Sequence, residues 1–100
     1  MHTLIINFNL QDIDRDQYEE VCAQLAPIFA GVPGLLSKNW LANEETNTYG
    51  GVYVFQDRQA MLDYKASEIF AQIGANPSLV NVVVTDFETL AGPSKVTGLG

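Results

Sequence analysis

Apolar residues recur along the chain in blocks whose period switches between two and about 3.6. In HTLIINFNL (residues 2–10), Leu4, Ile6 and Phe8 fall at every second position, which predicts a strand. Residues 11–31 change period: Tyr18, Val21, Cys22, Leu25, Ile28 and Phe29 form one helical stripe. Asp12 or Asp14 can cap the start of this helix, and Asp16, Glu19 and Glu20 suit its positive end. Pro27 removes a backbone donor and crowds the carbonyl of Ala23, so a kink or a loosened last turn is expected there. Gly31 ends the helix.

A Pro33-Gly34 turn leads into a strand from Leu35 to Ala42, with Leu36, Lys38, Trp40 and Ala42 on one face. The polar residues 43–48 read as a hairpin connection to a strand beginning YGGVYVFQ. Asp57 can cap the next helical block, where Leu62, Ala66, Ile69 and Ile73 form a stripe widened by Met61, Tyr64 and Phe70. Ser67 is able to cap a second short helix, so one helix or two remain open over residues 58–73. Residues 78–88 are a β-branched strand. The tail 89–100, rich in Gly, Ser and Thr, is expected to be extended.

The resulting order, β-α-β-β-α-β, is the ferredoxin-like unit: an α+β domain over residues 1–88, with an antiparallel four-stranded sheet and both helices on one face. The strands do not alternate cleanly. Val52 and Val54 oppose Tyr53 and Phe55, and Val80, Val82 and Val84 oppose Val83 and Phe87. Such strands are buried on both sides. The helices cover one face and leave roughly 350 Å² of the other, by strand spacing and length. A second copy meeting this sheet face to face is the simplest cover, so a homodimer is expected.

Charge narrows the partners. The five basic residues of the 100-residue chain are scattered and its net charge is -7, which argues against nucleic acid and anionic membrane. Cys22 is the single cysteine, so neither an internal disulfide nor a thiolate metal cluster is expected. The first ten residues do not read as a signal peptide, and a reducing cytoplasm suits the lone thiol. No apolar run reaches the ~20 residues of a membrane span.

The stretches PGLLSKNW, GGVYVFQD and AMLDY resemble the core motif of the YdhR-type monooxygenase family. The matching positions are Pro33, Gly34, Lys38, Trp40, Gly50, Gly51, Tyr53, Phe55, Asp57 and Tyr64, within residues 33–64. The resemblance implies a dimeric α+β barrel, in which two ferredoxin-like units pair their sheets. It also implies a small cavity between sheet and helices in each subunit. Relatives of this architecture include cofactor-independent monooxygenases acting on polyphenolic aromatics, as well as isomerases and dismutases, so no cofactor is called for.

The candidate chemistry sits around that motif. Lys38 is the one basic residue inside a strand; it either stabilises a phenolate or peroxide anion or guards an edge strand against aggregation. Trp40 either stacks on an aromatic substrate or is plain core. Tyr53 and Tyr64 are candidate hydrogen-bond or proton donors. Gly50 and Gly51 mark a bulge or close backbone approach, or leave space for a flat ligand beside Trp40 and Tyr49. Asn39, with Asn7 and Asn9, orients a ligand or bridges a dimer. Cys22 reads as inert core, and no histidine accompanies the acidic residues of the first helix, so no metal site is expected. Two functions remain: a cofactor-free monooxygenase acting on a small aromatic or apolar molecule, or a non-catalytic dimer that binds one.

Overall fold

The alternation of the first strand survives folding without exception. In β1 (His2–Leu10), the even-numbered residues are buried and the odd-numbered ones half-buried. In the computed structural model, which describes residues 1–98, β1 is followed by α1 (Arg15–Ala30), β2 (Leu35–Asn43) and β3 (Thr48–Phe55). Then come α2 (Arg58–Lys65), α3 (Glu68–Ala75), β4 (Leu79–Glu88) and α4 (Ala91–Val96). The four strands form one antiparallel sheet in the order β2-β3-β1-β4.

One sheet face carries the core. Leu4, Ile6, Phe8 and Leu10 of β1 and Tyr49, Tyr53 and Phe55 of β3 meet Phe29, Ala60, Met61 and Tyr64 from the helices. The opposite face presents Ile5, Val52, Val54, Val83 and Phe87, as the cross-strand register requires. Val83 is 57% exposed and Phe87 54% exposed.

Two irregularities change the phase of the sequence pattern. The β2–β3 register shifts between Leu35 and Ser37. Leu36, expected on the Lys38–Trp40 face, is therefore turned out to solvent, and Leu35 packs on the core instead. In β4, the ladder to β1 is interrupted around Asn81, whose φ of 54° lies in the left-handed region. Val80 stands opposite Asn9 and Val84 opposite Ile6, so the even-numbered valines do not share one face.

The helix ends follow local chemistry. Asp14 rather than Asp12 caps α1: its carboxylate accepts from the Gln17 N–H, and the Gln17 side chain accepts from the Asp14 N–H. Such a capping box is worth about 1 kcal/mol. The question over residues 58–73 resolves as two helices. The Ala66 N–H reaches back to the Leu62 carbonyl, and the Ser67 side chain then accepts from Phe70 N–H to start α3.

The tail departs from expectation. Residues 91–96 are helical, not extended. Pro93 falls in the first turn, where a missing N–H costs nothing because that donor has no intrahelical partner. The Thr89 N–H donates to the Met1 carbonyl at 3.2 Å and ties the start of the tail to β1. The last two residues of the expected tail lie outside the described residues. His2, the sole histidine, is buried and lies 2.6 Å from the Asp86 carboxylate, which this contact holds below the usual carboxylate range. No helix among the described residues is long and apolar enough to cross a membrane.

Candidate active site

Helix α1 stands farther from the sheet than α2, which comes close to β1 and β3. Aromatic side chains bridge the gap beneath α1. Phe29 meets Trp40 edge-on at 5.4 Å between ring centres and leans on Tyr53 at 6.0 Å. One end of the helix is propped by Tyr18, which packs edge-on against Phe8 and Tyr49 at 5.8 and 5.2 Å. Between these props lies a cavity of about 350 Å³, bounded by the sheet, α1 and α3. That volume fits a small organic ligand. Its wall is mainly apolar: Phe8, Ile13, Leu25, Ile69 and Ile73 with the rings of Tyr18, Phe29, Trp40 and Tyr53. Lys38, Tyr18, Cys22 and Tyr53 are the groups with acid-base or nucleophilic chemistry, and Gln72, Asn76 and Ser78 add polar atoms from the α3–β4 side. Among the described residues no carboxylate or imidazole lines it.

Lys38 dominates the electrostatics. It stands on an edge strand, yet its side chain folds inward rather than guarding the edge. The ammonium lies 3.4 Å from the centre of the Trp40 ring, 3.5 Å from that of Phe29 and 4.6 Å from that of Tyr53. Among the described residues no carboxylate forms an ion pair with it. Burial draws its pKa down to about 7. The three ring faces act in the opposite sense, because their negative quadrupoles attract the charged form. The remaining groups do not compete near neutrality. Burial pushes the Tyr53 and Tyr18 phenols far up, reinforced by Tyr64 and Cys22 respectively. Burial also raises the Cys22 thiol, against the opposing pull of Tyr18 and Lys38. Of the groups lining the cavity, Lys38 is thus the one poised to exchange a proton at neutral pH.

The double glycine serves two different needs. A Cβ on Gly50, whose φ is 150°, would stand 1.8 Å from the Ile6 carbonyl oxygen. The close backbone approach, one of the two readings the sequence offered, is therefore present, between the neighbouring interior strands β1 and β3. A Cβ on Gly51 would meet Lys38 Cε at 2.9 Å and Tyr53 Cε1 at 3.1 Å. The space beside Gly51 accommodates the lysine stem itself, so in this structure it is not the slot for a flat ligand.

Of the residues singled out from the sequence, Lys38, Trp40, Tyr53 and Gly50 converge on the cavity. Tyr64 does not line it: its ring packs among Phe29, Tyr53, Phe55 and Phe70, and its buried hydroxyl makes no hydrogen bond. Burial raises its pKa, opposed by the nearby Tyr53 phenol. Tyr49 is core, buried against Tyr18. Asn39 points away, exposed on the outer sheet face between Lys38 and Trp40. Asn9 is engaged in structure, accepting from the Asn81 amide and donating to the Asn47 carbonyl. Tyr18 and Cys22, residues of the apolar stripe of α1, are cavity wall; their i, i+4 spacing to each other and the i, i+3 spacing of Cys22 to Leu25 are the signal the sequence offers. Among the described residues, no three His, Cys, Asp or Glu side chains gather where they could hold a metal ion.

Comparison with known proteins places this architecture. A protein of unknown function from Nitrosomonas europaea superposes with a TM-score of 0.75 at 18% identity, over 90% of this chain and 89% of that one. A variant of SnoaB, a cofactor-independent oxygenase from Streptomyces nogalater, gives 0.70 at 23% identity, over 89% and 92%. A putative antibiotic biosynthesis monooxygenase from Deinococcus radiodurans gives 0.73 at 13%, over 89% and 92%. At these identities the likeness is one of fold. No curated protein sequence matches significantly. The family described as "Putative mono-oxygenase ydhR" matches residues 3–98, nearly the whole chain including both glycines and Lys38, and the protein belongs to that family.

Proposed function

We propose that the protein is a cofactor-independent monooxygenase that oxidises a small aromatic or apolar substrate in the cavity beneath α1, with Lys38 as its base. The observation that carries this reading is the unpaired Lys38 amine, enclosed by Phe29, Trp40 and Tyr53 at the wall of a largely apolar cavity. Its neutral form takes a proton from an acidic C–H of the substrate. The carbanion passes electrons to dioxygen and forms a carbon–oxygen bond, and the lysine returns its proton to give the hydroperoxide. Loss of water, with the second C–H proton, leaves a ketone, so that CH₂ and O₂ become C=O and H₂O. Trp40 supplies a stacking surface, and Tyr53, held neutral by burial, supplies a hydrogen-bond donor. Water exclusion strengthens each of these contacts.

The outer sheet face pairs with a second copy in this reading, covering Ile5, Val52, Val54, Val83 and Phe87. Area alone does not decide this, because ~350 Å² falls within the range of ordinary monomer patches. The exposure of Phe87 and Val83 on the same face as Ile5, Val52 and Val54 favours it. A cytoplasmic setting suits the single free thiol.

Oxygen uptake with hydroquinones, flavonoids and other enolisable aromatics tests the proposal. Turnover should fall about 10²–10⁴-fold in Lys38→Met, the usual contribution of a general base. Silence across the whole panel, or unchanged turnover in Lys38→Met, would overturn it.

A further inference from the structure

The same amine has a second reactivity that needs no oxygen. A lysine becomes a nucleophile toward carbonyl carbon when it is desolvated, unpaired and reached from an apolar cavity. Lys38 meets each condition: its stem crosses Gly51 in the space a Cβ would fill, no carboxylate among the described residues pairs with it, and it lines the 350 Å³ cavity. We propose that Lys38 captures small apolar aldehydes and ketones as a Schiff base within this cavity. The amine adds to the carbonyl carbon to give a carbinolamine. Loss of one water then leaves a C=N bond, so that R–NH₂ and O=CR′₂ become R–N=CR′₂ and H₂O, with no change in oxidation state. Tyr18 and Tyr53, which stay protonated, are placed in the same wall to donate a hydrogen bond to the departing oxygen.

The chain contains its own controls. Lys65 is half-buried on α2, Lys95 is exposed on α4, and neither lines the cavity. At pH 7 an ordinary lysine is the free amine about once in 2,500 molecules, whereas a group titrating near 7 is free in about half. Lower basicity also lowers intrinsic nucleophilicity, and the ring faces favour the ammonium. The expected preference for Lys38 over the other two lysines is therefore about tenfold or more.

The experiment is reductive trapping. The intact protein is incubated without oxygen at pH 7 with benzaldehyde and cyanoborohydride, and the adducts are mapped by mass spectrometry. The expected result is a benzyl group predominantly on Lys38, lost in Lys38→Arg and not reproduced with the charged aldehyde glyoxylate, which the apolar wall excludes. Labelling spread over Lys65, Lys95 and the amino terminus, or an equal preference with glyoxylate, would overturn the inference. Its fate is separable from that of the oxygenase reading. Trapping proceeds anaerobically, so a protein that binds benzaldehyde covalently and consumes no oxygen keeps this property and loses the other.

Discussion

Alanine at Gly50 and alanine at Gly51 are the same chemical change one residue apart, and the structure assigns them opposite consequences. At Gly50 the new Cβ would overlap the Ile6 carbonyl oxygen at 1.8 Å, and both partners are backbone. No rotamer change relieves that. The backbone must also hold a φ of 150° with a side chain attached, a strain of order 1–3 kcal/mol. Relief requires β1 and β3 to separate near the Asn7–Gly50 pair, and each lost ladder bond costs about 1 kcal/mol. The total is at least about 3 kcal/mol out of the 5–15 available to a typical domain. For a chain of this size that corresponds to a fall in Tm of roughly 12–24 °C.

At Gly51 the contacts are Lys38 Cε and a Tyr53 ring carbon. The first is the far end of a flexible side chain and can move. Alanine also restricts the unfolded chain, which favours folding by about 0.4–1 kcal/mol where the backbone permits it. The net change in stability should stay within about 1 kcal/mol. Instead, Lys38 is lifted out of its groove, and its pKa should rise from about 7 toward the ordinary lysine value. Urea denaturation followed by circular dichroism gives the first quantity, and NMR titration of the Lys38 side chain gives the second. Equal losses of stability in the two variants, or an unmoved Lys38 titration in Gly51→Ala, would refute the account.

Three further outcomes follow from the same packing. The folded pKa of Lys38 lies below its unfolded value, so the unfolded chain binds the extra proton between about pH 7 and 10.5 and stability should rise with pH across that window. Lys38→Met should flatten the rise and stabilise the protein below pH 7 by about 1–3 kcal/mol, the ring contacts having offset part of the burial penalty; melts at several pH values would show it. Tyr64→Phe removes a buried hydroxyl that has no partner, so it should leave stability unchanged or raise it by up to about 1 kcal/mol. Because that ring stands outside the cavity, any oxygen uptake should persist in the same variant. Val83→Lys places a charge on the β4 edge of the outer face and should convert a sedimenting dimer into a species of 11.0 kDa; a native protein already at that mass would remove the paired-sheet proposal.

The parts of this fold that were legible in the sequence are those fixed by local periodicity and capping. The alternation of Leu4, Ile6 and Phe8 could be read from side-chain chemistry alone, and the same chemistry narrowed the α1 cap to Asp12 or Asp14 and marked Ser67 as a candidate second cap, which the structure settles as Asp14 and as two helices. That Lys38 and Trp40 share a face was also readable, because two residues at even spacing must do so, but which face turns inward was not. What escaped depended on pairing across the sheet. The bulge at Leu36 and the left-handed Asn81 shift the phase of their strands by one residue, and nothing in the local pattern announces them. Tyr64 shows the same limit in a different way: its place in the motif gave it the look of a site residue, but the depth of α2 against the sheet decides that its hydroxyl ends among rings. The stand-off of α1, which creates the cavity and makes Tyr18 and Cys22 part of its wall, is a property of how large rings stack between layers.

The break at Ser67 also divides labour between the two short helices. Ala60, Met61 and Tyr64 of α2 are buried in the core, whereas α3 has no fully buried residue and gives Ile69, Gln72 and Ile73 to the cavity wall. Remodelling of α3 can therefore proceed with the foundation of the domain left in place. A protein built this way can trade one guest for another by redecorating a single wall, and successive variants need not pass through unfolded ancestors to get there.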